Sequence, residues 1–253
     1  MKLKQCLLMA SVSCSFVSAT YAQPLDTLRR KDPDGWEFIQ VKRGANITIA
    51  EGYRHNGVDE GAWITYWDNG YPRSIYTYRK GKRNGVHTEI NQQGYTELVE
   101  NYKDDLLEGP QRRYQLGTSF ITEEIYYSEG KKHGRLNKRY SNGNPQEEAN
   151  YNMDKRDGKT IWYYDSGEKA AEYNYRDGNI DGEVSAYYKN GKVSEYGLYK
   201  DNQQTGDWKE FWENGNLKAE GKYVNGEKSG SWKEYNEQGK FVKTVRYDKG
   251  KKQ

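Results

Sequence analysis

Three histidines, His55, His87 and His133, are the residues most suited to binding a metal or moving a proton near neutral pH. Either task needs them gathered with other ligands or with an orienting carboxylate. They fall at different positions of the repeat described below, so a periodic fold does not collect them. Each is therefore expected on a solvent-facing turn or strand. Carboxylates are abundant, 37 in all, but they alternate with Lys along the chain, as on a solvated strand face. A glycosidase pair would need two carboxylates unlike their repeat counterparts, and the sequence offers none. Asp177-Gly178-Asn179-Ile180-Asp181-Gly182 starts like a calcium loop, but Tyr188 stands where the bidentate Glu should be, so a structural turn is expected. There is no nucleophile elbow, phosphate loop or zinc-protease motif. The expectation is a protein that is not an enzyme, with no catalytic, cofactor-binding or metal residues and no cofactor.

Composition narrows the elements that carry these residues. Only 34% of the 253 residues are hydrophobic, yet there are 24 Tyr and seven Trp. Disordered chains are poor in aromatics, so this mixture with 27 Gly points to many short strands and tight turns over a thin core. Lys2 and Lys4 precede an apolar run from Cys6 to Val17, and small residues lead to Ala22. That pattern predicts a cleavable signal peptide over 1–22, too short to span a bilayer, and export to the periplasm or the medium. Lipid attachment at Cys14 is the alternative, disfavoured by Ser11. Cleavage removes both cysteines, Cys6 and Cys14, and lowers the formal charge from +3 to +1. A near-neutral body with interspersed Lys and Glu has no footprint for nucleic acid.

Internal repetition organises the rest. A glycine recurs at 35, 61, 85, 109, 134, 158, 182, 206 and 230, at spacings of 24 to 26 residues. A second follows eight or nine residues later, among them Gly70, Gly94, Gly143, Gly167, Gly191, Gly215 and Gly239. A tyrosine closes each copy, as at Tyr53, Tyr78, Tyr102, Tyr151, Tyr175, Tyr199, Tyr223 and Tyr247. Asn precedes the middle glycine at Asn69, Asn142, Asn190 and Asn214, which predicts two-residue type I′ hairpin turns there. Three residues after the tyrosine column lies a further turn site held by Gly, Asp or Asn, the residues that tolerate a left-handed backbone. The fold class expected is all-β: an elongated antiparallel sheet of about nine tandem 24-residue β-hairpins, an open solenoid-like array. Residues 23–33 are expected to be a flexible leader, 34–60 a degenerate first copy acting as a cap, 61–250 eight further copies, and 251–253 a tail. The aromatic column before the middle turn, Trp67, Tyr164, Tyr188 and Trp212, is the candidate binding surface; packing between neighbouring hairpins is its simpler role.

The unit Gly-x-Trp-x-x-Tyr-x-x-x-Gly…Tyr-x-x-Gly-x-x-x-Gly resembles the MORN-repeat variant over about residues 34–250. The likeness is strongest at Gly61–Gly85 and Gly158–Gly250, where Trp63, Trp208 and Trp232 hold the first aromatic column. It is weaker at Gly85–Gly134, where His87 and Gln111 occupy that column. The resemblance implies a sheet of hairpins used as a scaffold or interaction surface. Bacterial proteins of this variant include the YwqK-type antitoxins, which implies a toxin as one kind of partner. Related MORN repeats imply membrane lipid or protein partners, and glycan binding is a further alternative. Together with the export signal, the expectation is a non-enzymatic interaction scaffold of the bacterial envelope with a protein partner.

Overall fold

A computed structural model describes residues 25–44 and 46–253. The expected signal peptide over 1–22, with Cys14, lies outside the described residues. Every regular element among them is a strand, and 23 strand segments form one open antiparallel sheet. Each long strand pairs with the long strands before and after it in sequence, so no connection crosses the sheet. Nine hairpins follow one another, from Trp36–Arg43 with Ile47–His55 to Glu227–Tyr235 with Phe241–Asp248. The periodicity read from the glycine columns is the periodicity that folds.

The middle turns are not the type I′ turns that the Asn-Gly pairs predict. At Trp67-Asp68-Asn69-Gly70 the Gly70 N–H donates to Trp67 O and the Trp67 N–H to Tyr71 O, both at 2.9 Å. Of these turn residues only Gly70 has positive φ, 86°. This is a three-residue loop, a type I turn followed by a left-handed bulge residue, and not a type I′ turn. The asparagine is there for its side chain. Asn69 Oδ1 accepts from Tyr71 N, and its Nδ2 donates to Gln92 O of the next copy. Asn142, Asn190 and Asn214 each do the same, reaching a carbonyl 23 residues on. The type I′ turns lie at the other site, where Lys80-Gly81, Asp104-Asp105 and Asp177-Gly178 have positive φ at both positions. Where Gly is replaced, Asp105, Asp154 and Asn202 accept a backbone N–H of the preceding copy at 2.8–2.9 Å.

One row of side chains, one per strand, forms the core. It runs Trp63, Tyr76, His87, Glu100, Gln111, Ile125, Leu136, Ala149, Thr160, Tyr173, Val184, Gly197, Trp208, Gly221, Trp232, Val245. Toward its C-terminal end, over Gly197, Trp208, Gly221 and Trp232, large and small alternate. Trp208 lies over Gly197 and Trp232 over Gly221, so close that a Cβ on those glycines would meet ring atoms at 1.9 and 2.4 Å. Leu136 sits instead beside Ala149. The tyrosine column flanks this row: Tyr199, Trp208, Tyr223, Trp232 and Tyr247 meet edge to face at 5.3–6.4 Å between centroids. Each such pair contributes about 0.5–1.5 kcal/mol beyond its buried area.

Two expectations fail at the N-terminal end. Leu25–Lys31, placed in the flexible leader, is a strand in register with Trp36–Arg43, from Leu25↔Arg43 to Lys31↔Glu37. All its residues are exposed, so the backbone ladder and an Arg29–Glu37 ion pair at 3.2 Å hold it, and no apolar pattern announces it. Tyr53 leaves the tyrosine column. Its strand is offset by one residue so that Gly52 lies under Trp63, which leaves Tyr53 48% exposed. Arg54 fills the vacated position, 5.7 Å from the Trp63 ring.

Candidate interaction surface

The four aromatics before the middle turn line up on one edge of the sheet, half-buried. Each donates to a backbone carbonyl 23 residues on: Trp67 Nε1 to Ile90 O, Tyr164 OH to Tyr187 O, Tyr188 OH to Phe211 O, and Trp212 Nε1 to Tyr235 O, at 2.7–3.1 Å. Tyr140 does the same to Tyr163 O. Their polar tips are therefore committed to tying one copy to the next. The turn glycines Gly70, Gly94, Gly143, Gly167, Gly191, Gly215 and Gly239 all have positive φ and close the loops beside them. Tyr188→Phe removes one such tie while keeping the ring. It is expected to lower stability by about 1 kcal/mol in urea unfolding, whereas a larger loss would mean that the hydroxyl does more than bridge copies.

A second set of ties crosses the opposite face. Tyr66, Tyr163, Tyr187 and Tyr235 each donate their hydroxyl to a Glu fifteen residues earlier, Glu51, Glu148, Glu172 and Glu220, at 2.6–3.3 Å. Burial and then the accepting carboxylate push Tyr66 and Tyr163 up to about 12. Tyr223, in the inner column, also rises to about 12 through burial and the nearby Glu210 and Glu195 carboxylates. A tyrosine whose folded pKa is raised holds its proton more tightly in the fold. Its contribution is whole below the ordinary pKa and is lost as pH climbs toward 12. The melting temperature is thus expected to fall steeply between about pH 10 and 12, in step with late ionisation of tyrosines followed at 295 nm. Ionisation of every tyrosine near pH 10 with no loss of strand signal would contradict this.

The strongest departure from the sequence reading is His87, which is 2% exposed and not on a solvent-facing strand. It takes the place of tryptophan in the core row and stacks on Tyr76 at 3.9 Å and 8°. Its Nδ1 lies 2.9 Å from Glu100 Oε1, itself on a 6% exposed residue, and the carboxylate can only accept, so Nδ1 carries the hydrogen. Tyr102 OH and Gln111 Nε2 also donate to Glu100, both at 2.6 Å. Burial alone would raise the Glu100 pKa, but these three hydrogen bonds outweigh it and hold the group at about 2. The other imidazole nitrogen, Nε2, has no hydrogen-bond partner, with Glu89 Oε1 at 4.0 Å. A buried polar seam thus interrupts the apolar row over His87, Glu100 and Gln111. The signal was present in the sequence as polar residues in a tryptophan column. The cross-strand pairing that makes them partners was not.

The calcium-like segment folds as the expected turn. Asp177 and Gly178 are its two left-handed residues, Lys200 Nζ holds the Asp181 carboxylate at 2.6 Å, and Tyr188 is spent on Phe211 O. His55 stacks against Trp36 at 4.8 Å near the first turn, far along the sheet from His87.

A single open sheet of sequential hairpins, stitched copy to copy by side chains, defines a linear β-repeat protein. Residues 132–153, 156–177, 180–201 and 204–225 match the MORN repeat variant, four tandem units in register with the hairpins described above. Four tandem units of this chain, over residues 132–225, are therefore MORN-variant repeats. No curated protein matches it. Such repeats are associated with binding.

Proposed function

We propose that this chain is a non-enzymatic, exported scaffold of the bacterial envelope that binds a protein partner through its sheet. The observation that carries the reading is the stitching. Backbone bonds, asparagine side chains and aromatic hydroxyls each join a copy to the next, making a continuous platform from a chain with little core. On the face opposite the buried row this platform displays apolar side chains among the charges, including Val86, Tyr126, Tyr196 and Leu198 at 37–47% exposure. Display of that kind suits a protein contact, where exposed rings and aliphatics anchor and a polar rim excludes water. Export is supported by the n-region, apolar run and Ala22 of the sequence.

The test expresses the full chain with a C-terminal tag, identifies the N-terminal residue of the product, and captures cross-linked partners from fractionated cells. Processing to Gln23 and one envelope protein enriched over a tag-only control are the expected result. An unprocessed cytoplasmic product, or no enrichment in several growth states, would overturn the reading.

A further inference from the structure

We infer that the copies beginning at Gly182 and Gly206 carry a docking cleft for an acidic, apolar segment of a partner protein, a reading that rests on the scaffold function above. Four tyrosine–glutamate bridges close the opposite face between neighbouring copies, each spanning fifteen residues. At the equivalent place in this pair both members are changed. Phe211 lacks the hydroxyl, and Tyr196 stands where the glutamate belongs, its own hydroxyl turned to Glu183 Oε1 at 3.0 Å. The bridge is gone, and an open cleft of about 620 Å³ takes its place, lined by Val193, Tyr196, Phe211, Lys192 and Lys209 between the turn glycines Gly191 and Gly215. Its surface is more apolar than polar, and Tyr196 and neighbouring Leu198 are each 39% exposed.

Charge complementarity identifies the occupant. The bridging sites hold a carboxylate; this one has none on its wall and is rimmed by two lysines. Lys192 Nζ reaches the Asn214 carbonyl at 2.6 Å, and Lys209 lies beside Tyr196 across the strand pair. A carboxylate brought by the partner would meet these ammonium groups while its apolar neighbour covers Tyr196 and Phe211.

The experiment titrates the intact chain, followed by NMR, with a blocked heptapeptide alternating Glu with Leu and Phe. Controls are the same peptide with Lys for Glu and with Gly for Leu and Phe. Tyr196→Glu with Phe211→Tyr rebuilds the bridge that other copies use, so the variant keeps the fold while closing the cleft. Saturable shifts at Val193, Tyr196, Lys209 and Phe211 are expected with the first peptide only. Affinity should fall at least about tenfold in the bridge-restored variant, and several-fold with Lys209→Glu. Equal binding of the Lys peptide, no saturable binding at millimolar peptide, or binding unchanged in the bridge-restored variant would each overturn the cleft. Co-sedimentation with anionic vesicles that the same variant abolishes, without peptide binding, would overturn it in favour of a lipid surface. Unchanged partner capture by the bridge-restored variant removes the cleft and leaves the scaffold standing. Loss of processing or of all capture strikes the scaffold instead.

Discussion

Gly197→Ala is expected to destabilise the C-terminal copies by about 3 kcal/mol, a large effect for one methyl group. An added Cβ would stand 1.9 Å from Trp208 Cε3 and 2.4 Å from Cδ2, atoms of a rigid ring wedged between two strands. The ring has little room to retreat, because Tyr199 and Tyr223 meet it edge to face at 5.7 and 5.4 Å. The chain itself shows the remedy. Where Ala149 occupies the glycine's place, the smaller Thr160 occupies the tryptophan's, and both are buried. Trp208→Leu added to Gly197→Ala should therefore recover most of the loss, a coupling of about 2 kcal/mol in a double-mutant cycle. Because each copy touches only its neighbours, the damage should stay local. Hydrogen exchange should quicken over the copies from Gly182 to Gly230 and change little around Leu136. Additive single-mutant effects, or uniform loss of protection along the chain, would contradict the volume alternation.

Glu100→Ala is expected to be at least as damaging, by about 3–5 kcal/mol, because it strands three donors at once. His87 Nδ1, Tyr102 OH and Gln111 Nε2 would all lose the acceptor they share. The same carboxylate sets an acid limit. Its folded pKa is depressed to about 2, below that of an ordinary glutamate, so the stability it confers is present above about pH 4.5. That stability drains away as pH falls from there toward 2. Replacing the whole seam with the repeat's own apolar solution, His87→Leu with Glu100→Ala and Gln111→Leu, should restore or exceed the original stability and flatten the acid limb. A triple variant as weak as Glu100→Ala alone, or an unchanged acid limb, would show that the seam is not the limiting element.

These cases show what a linear reading captures. Period and hairpin number were legible because each copy must reverse at fixed places, and a left-handed corner admits few residue types. Which turn type occupies which corner was not. Asn69-Gly70 carries the strongest short-range signal for a type I′ turn, yet the asparagine's bond to Gln92 in the next copy stabilises the alternative loop. Local propensity gave way to a contact between copies. His87 was misplaced for the same reason: standing apart from the other histidines it reads as surface, and only the register that sets Tyr76 and Glu100 on either side buries it. The fully exposed strand Leu25–Lys31 has no side-chain pattern because none of its stability comes from burial. The aromatic surface residues were identified by column, but their donation to carbonyls one copy away depends on distances that spacing alone does not fix.

Cross-strand proton contacts in the folded chain address the central claim most directly, that one residue from each successive strand enters a single continuous row. Backbone contacts should link Tyr173 to Thr160 on one side and to Val184 on the other, with Val184 linked in turn to Gly197. Backbone contacts joining Tyr173 to any other strand, or a helical pattern of contacts between residues three apart, would contradict the row and the stitched platform built on it.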